Sequence, residues 1–233
     1  MIVAGQVTLV PARALEGRVA RILGATGVPD ADAAIAASHL VDADLRGVHS
    51  HGTIRVPTYV RELRNGTTNP RPHVHIAVDH GAQVTIDGDN GLGMVVAHHA
   101  LEVAIARGHA HGMAAVAVRG SNHCGTMAYY TTRAVSHGLI GIATTNAGIN
   151  MTPTGSSEKL VGGPKGYGLA VMLDILAGVL SGGRFGAGLG APGSAQFLLV
   201  LDVRRYMPLD DFLERIDALV DQLHGAARLP EVD

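Results

Sequence analysis

Met113-Ala114-Ala115-Val116-Ala117-Val118, with Ser121-Asn122-His123-Cys124-Gly125 just beyond it, is the stretch on which the fold turns. Six apolar residues in a row at this length read as a buried strand, which leaves His123 on a strand-end loop. Outward from it, helical spacing over residues 94–107 predicts a helix before the strand, and about 126–136 a helix after it. Residues 139–145 read as a second buried strand. Residues 73–79 and 83–87 alternate as two strands around Asp79-His80-Gly81-Ala82, and 196–201 add another. Strands and helices interleave, so the fold class is α/β (α+β).

The N-terminal third is helical. Leu15, Val19, Ile22 and Leu23 put one apolar face on residues 11–24. Gly27-Val28-Pro29-Asp30 breaks that helix and starts an alanine-rich one over 30–46. A third is expected from about 52 to 63, with Pro57 near its start, where proline costs least; Asn65-Gly66 then turns the chain. Two units follow: a helical one, 1–70, completed by a C-terminal helix over 208–226, and a sheet-containing one, 71–207. The helix at 166–180 is apolar on nearly all sides and requires burial all round. So short a chain has few elements to cover it, which points to a second subunit.

Composition narrows the function. Of 233 residues 47% are hydrophobic and 16% charged, and the net charge is −2, so the chain is globular, with no Lys/Arg tract to favour nucleic acid or an anionic membrane surface. No apolar run reaches membrane-span length, and residues 1–10 lack the pattern of a signal peptide. One cysteine makes no internal disulfide, which fits the cytoplasm.

His51, Arg55 and Tyr59 are spaced i, i+4, i+8 and are expected on one helix face. Arginine there offers a planar fork for a carboxylate; the alternative is a solvated face with Arg55 paired to Glu62 or to nothing. A histidine placed as His123 can give a proton to a forming alkoxide or take one from an alcohol, an effect of about 10²–10⁴ in rate; the alternative is a structural histidine, as most of the 13 must be. Cys124 reads as an inert, partly buried thiol. His98-His99 and His109-x-His111 read as solvent-facing, and no spacing matches a metal motif, so no metal is expected. Gly188-Leu189-Gly190-Ala191-Pro192-Gly193 matches G-x-G-x-x-G as a string, but a helix precedes it and a strand follows, the reverse of a dinucleotide fingerprint. Gly162-Gly163-Pro164-Lys165-Gly166-Tyr167-Gly168 feeds a helix N-terminus, whose free N–H groups favour anions; plain helix initiation is the alternative.

Three pieces in order, residues 44–52 with Arg55 and Tyr59, 121–125, and Lys165-Gly166-Tyr167-Gly168-Leu169, make the sequence resemble the type-2 malate/L-lactate dehydrogenase family. The resemblance covers residues 11 to about 160 and 165 to about 223. It implies a non-Rossmann NAD(P)-binding domain on a mostly antiparallel sheet, plus a helical domain, in a homodimer. It implies that small 2-oxo or imino acids are reduced, or hydroxy acids oxidised, with NAD or NADP. By resemblance His123 is the proton donor/acceptor, Ser50, His51, Arg55 and Tyr59 bind the substrate carboxylate and line its pocket, and Asn146, Lys165, Gly166, Tyr167 and Gly168 face the cofactor. The chain departs from the family between Asn146 and Lys165, where the family carries several tens more residues including part of the cofactor wall. It is also shorter around residues 186–193 and at its end. Two readings stand: an enzyme whose full chain exceeds the 24.1 kDa of this sequence, or a carboxylate-binding scaffold that has lost part of its cofactor site.

Overall fold

The computed structural model describes residues 9–146, 164–189 and 193–225. Helices α1 (Ala12–Gly24), α2 (Asp30–Leu45) and α3 (Val56–Arg64) form the N-terminal unit, with 3₁₀ turns at His49–His51 and Thr53–Arg55 between α2 and α3. The sheet strands are β1 (His75–His80), β2 (Gln83–Asp87), β3 (Met113–Ser121), β4 (Leu139–Thr145) and β5 (Ser194–Asp202). Between them lie α4 (Gly93–His111), α5 (Met127–Ser136) and α6 (Pro164–Asp174); α6 runs on into a π-turn, Ile175–Val179, and α7 (Leu209–Gly225) follows β5.

The strand order is β1-β2-β3-β5-β4. Only β2 and β3 run parallel; the other three pairs are antiparallel, as the mostly antiparallel expectation requires. β3 is the central strand, and its period-two alternation feeds two cores. Val116 and Val118 join Leu198 and Val200 of β5 under Leu101, Ala104 and Tyr130 of α4 and α5. Ala115 and Ala117 face the other way with Phe197 and Leu199, against Leu176 and Ala177 of the π-turn. A third core joins α1, α2 and α3 to Leu92, Met94 and Val95 at the start of α4.

Three expectations need correction. β4 is not a buried strand: it is the sheet edge, and Ile140 and Ile142 are exposed. α3 begins at Val56 rather than near Gly52, because the chain first makes two 3₁₀ turns. His98 is half-buried inside α4 rather than solvent-facing, and burial lowers its pKa. Within the described residues α7 buries no side chain and packs against the 3₁₀ turn Val203–Arg205. The apolar α6 and π-turn are likewise open, with Leu169 54% and Leu180 59% exposed.

Candidate active site

The segment between α2 and α3 is built around Asp44. Its carboxylate accepts from the Thr53 N–H at 2.9 Å and the Thr53 hydroxyl at 2.6 Å, and Nδ1 of His49 lies 3.1 Å away. Burial raises the Asp44 pKa, but these hydrogen bonds outweigh it and the net shift is downward. A β-carbon at Gly52 would overlap the Asp44 carboxylate, so only glycine lets the turn close. The folded turn links the substrate-side residues in sequence. Arg55 donates from Nε to the Ser50 carbonyl at 2.9 Å, and Ser50 Oγ lies 2.9 Å from His51 Nδ1. His51, Arg55 and Tyr59 therefore converge through two 3₁₀ turns and a short helix, not along one helix face as their spacing suggested. Among the described residues the terminal nitrogens of this guanidinium have no hydrogen-bond partner, a fork of the kind that suits a carboxylate.

His123 arrives from the other unit, at the end of β3. Its ring stacks on that of His51, with centroids 5.3 Å apart. Its Nδ1 lies 2.8 Å from the Tyr59 hydroxyl and accepts from the Gly125 N–H at 3.3 Å. Because Gly125 N–H only donates, the neutral ring carries its proton on Nε2, the nitrogen these partners leave free. Burial, then the charges of Arg55 and His51, lower the His123 pKa to about 4. Burial pushes the Tyr59 phenol well above its ordinary value despite the opposing Arg55 charge.

The His123 loop is held on every side. The Asn122 amide donates to the Asn90 carbonyl and Oδ1 at 3.1 Å and to the Gly91 carbonyl at 2.9 Å. Asn90 does this from a left-handed backbone, φ 57°, strain of a kind that gathers at functional sites. Gln196 of β5 donates to the Asn122 carbonyl at 3.2 Å, and Tyr130 donates to that of Cys124 at 2.7 Å. A β-carbon at Gly93 would run into the Asn122 carbonyl, so α4 starts directly against the loop. Cys124 is buried and burial pushes its thiol up to about 12, so it is inert. Sequence reasoning gave no role to Asp44, Asn90, Gln196 or His39; Gly52 and Gly125, where a β-carbon would overlap Asp44 and His39, were the available signal for two of them.

The expected cofactor residues come from two other elements, the end of β4 and the start of α6. Asn146 is buried at the end of β4, and its amide donates to the Arg184 carbonyl at 2.7 Å and accepts from the Ala195 N–H at 2.7 Å. Both polar ends of that side chain are thus engaged by backbone. Lys165, Gly166, Tyr167 and Gly168 form the first turns of α6; Gly168 is exposed, and the side chains of the other three lie outside the described residues. Of the glycine-rich string at 188–193, Gly188 closes a 3₁₀ turn, Gly190, Ala191 and Pro192 lie outside the described residues, and β5 begins at Ser194. Among the described residues no three His, Cys, Asp or Glu side chains are grouped to hold a metal ion.

An arginine near a buried, hydrogen-bonded histidine just past a strand end has the chemistry to hold a small carboxylate and move a proton, on a sheet unlike the parallel dinucleotide-binding folds. Comparison with known proteins makes the assignment specific. The sequence profile of the family described as malate/L-lactate dehydrogenase matches residues 10–163 and 160–233, and the chain belongs to that family. It is a 2-hydroxyacid dehydrogenase by that membership. The malate dehydrogenase of Pyrococcus horikoshii is 29% identical over 304 aligned residues, covering 96% of this chain and 84% of the relative. That span exceeds the 233 residues present here, so the relative is the longer within the match. The L-sulfolactate dehydrogenase of Methanocaldococcus jannaschii is 43% identical over 60% of this chain and 41% of its own. The solved structure of the Pyrococcus enzyme superposes with a TM-score of 0.90 over 100% of this chain and 88% of that one. That of the Methanocaldococcus enzyme gives 0.91 at 26% identity, over 97% and 87%.

Proposed function

We propose that the protein interconverts a small 2-hydroxy acid and its 2-oxo acid with NAD or NADP, using Arg55 to hold the carboxylate and His123 to move the proton. The single observation that carries this reading is the convergence of Ser50, His51, Arg55, Tyr59 and His123 from two units onto one point. A bound reduced nicotinamide supplies the hydride that C2 of the oxo acid takes up. Arg55 receives the carboxylate and in doing so cancels a charge that holds His123 low. The ring's proton affinity rises, so it takes up a solvent proton at Nδ1, beside the Tyr59 oxygen; the imidazolium then passes its Nε2 proton to the carbonyl oxygen as the C–H bond forms and is left neutral. The Tyr59 phenol, driven up by burial, holds the ring rather than supplying the proton. Its hydroxyl serves as donor or acceptor, so it accommodates the ring in either direction of reaction.

The residues present fit a dinucleotide. A groove of about 570 Å³ adjoins the His123 loop through Ser121 and is lined by Arg184, Asn90, glycine backbone and Arg119, which pairs with Asp87 there; arginine suits phosphates, and Asn90 and Asp87 suit ribose hydroxyls. Beside it Oγ of Ser121, Oδ1 of Asn122 and Oε1 of Gln196 are buried without partners among the described residues. We further propose the two-unit division, 1–70 with the C-terminal helix 208–226 and 71–207, and a homodimer in which the open apolar faces of α6 and α7 are covered. The cytoplasm is the compartment we infer: the lone cysteine is a buried free thiol, and no described helix is long and apolar enough to cross a membrane.

Fluorescence titration with NADH and NADPH tests the cofactor; saturable binding of either is expected, and none at millimolar concentration favours the scaffold reading. In a substrate panel, 2-oxo acids should be reduced and ketones lacking the carboxylate should not. Arg55→Lys, which keeps the charge and loses the fork, should raise KM for the oxo acid more than it lowers kcat.

A further inference from the structure

The proton-transfer group and the carboxylate fork stand on different units, so the rate depends on how those units are tied together. Besides the Tyr59–His123 contact and the His51–His123 stack, a further tie at the site is made by His39. This residue is fully buried in α2. Its Nε2 accepts from the Thr126 N–H at 2.9 Å. Its ring lies against Tyr129, centroids 4.3 Å apart, and Tyr130, 5.2 Å, and Tyr130 in turn holds the Cys124 carbonyl. Gly125 has φ 73° and passes so close that a β-carbon there would overlap the imidazole. One ring therefore seats Cys124, Gly125 and Thr126, the residues that directly follow His123.

We propose that His39 is a positioning residue for His123: its neutral Nε2 fixes the loop 122–126 against the helical unit that carries Arg55 and Tyr59. An amide N–H only donates, so Nε2 must hold a lone pair and the imidazole proton must sit on Nδ1. A second proton would set N–H against N–H and break the tie. Burial keeps that from happening in the ordinary range, lowering the His39 pKa to about 4; Asp42 opposes the shift, and His123, His98 and His51 add to it. Tyr129 and Tyr130, the other titratable groups against the ring, are themselves pushed up by burial and stay neutral.

The inference rests on the reading of His123 given above, and the test separates the two. His39→Phe keeps a ring against Tyr129 and Tyr130 and removes the acceptor; His39→Gln restores an acceptor oxygen. With pyruvate or oxaloacetate as probe, His39→Phe should lower kcat between about 10- and 100-fold, the scale of a misplaced catalytic group, with KM and NADH or NADPH affinity within about two-fold. His39→Gln should recover most of that loss. A folded His39→Phe enzyme with unchanged kcat, or a His39→Gln enzyme no better than it, overturns the proposal. Nitrogen-15 spectra of the histidine rings give a readout independent of turnover. In the wild-type chain His39 must show a bare Nε2 and a protonated Nδ1 down to about pH 4, and His39→Phe must shift the His123 resonances. A His39 that titrates normally or carries its proton on Nε2 overturns the proposal even where the Phe variant does not fold. His123 resonances that move in His39→Phe, beside full turnover in His123→Ala, uphold the positioning and sink the acid–base assignment instead.

Discussion

α4 and the α6–π helix both carry long apolar runs, yet they end in different surroundings. α4 is enclosed: the sheet takes one side, α2 and α5 take others, and buried residues run from Gly93 to Gly108. The α6–π helix covers the opposite face of the same sheet, where among the described side chains only Ala177 and Gly178 become buried and Leu169, Met172, Ile175 and Leu180 stay open. α7 goes further, with Leu213, Leu219 and Leu223 exposed along one face. The contrast teaches that the α4 side of the sheet is finished within one chain. The other side has apolar surface that a single copy leaves to water, and the homodimer proposed above answers that need.

The comparison breaks or sharpens with substitutions on its two sides. Leu101→Ala in α4 removes a fully buried side chain and should destabilise the chain by about 2–5 kcal/mol in denaturant unfolding, the range for large-to-small core changes; a cost near zero would mean the enclosed side is not packed as described. A second effect is set by pH. His39 and His123 both have pKa values lowered to about 4, against about 6.5 unfolded. Between those values the unfolded chain binds the extra protons, so stability rises with pH and falls on acidification. Denaturant midpoints across that window should show an uptake approaching two protons on unfolding, with a smaller share from His98, and His39→Phe should remove one of them. The smallest effect belongs to the open side. Leu219→Ser should change the stability of the separated subunit by no more than about 0.5 kcal/mol while shifting light scattering towards monomer at low micromolar concentration. A large loss of subunit stability would place α7 in a core of its own chain.

Most of the sheet and its helices were legible in the sequence, because apolar runs and turn residues mark elements locally. Pairing order is not local. β5 inserts between β3 and β4, and this makes β4 an edge strand although its own apolar run reads as buried. At the site, His123 and Arg55 could be read from their residue types and the strand end. Their route together could not, since i, i+4, i+8 spacing suggests a helix face and the chain uses 3₁₀ turns locked by Asp44. His39 gave no sign of its role in an alanine-rich helix, because what it does is set by Thr126, 87 residues away. The left-handed Asn90 was invisible for the same reason: its strain is held by Asn122 across the fold.

The whole reading rests on His123 carrying the proton in a nicotinamide-dependent reduction. It is tested most directly by steady-state turnover of His123→Ala with a 2-oxo acid, beside NADH or NADPH affinity measured on the same variant. A fall in kcat of about 10²–10⁴ with cofactor affinity nearly unchanged is the predicted result. Full turnover, or a loss of cofactor binding that matches the loss of rate, would contradict it.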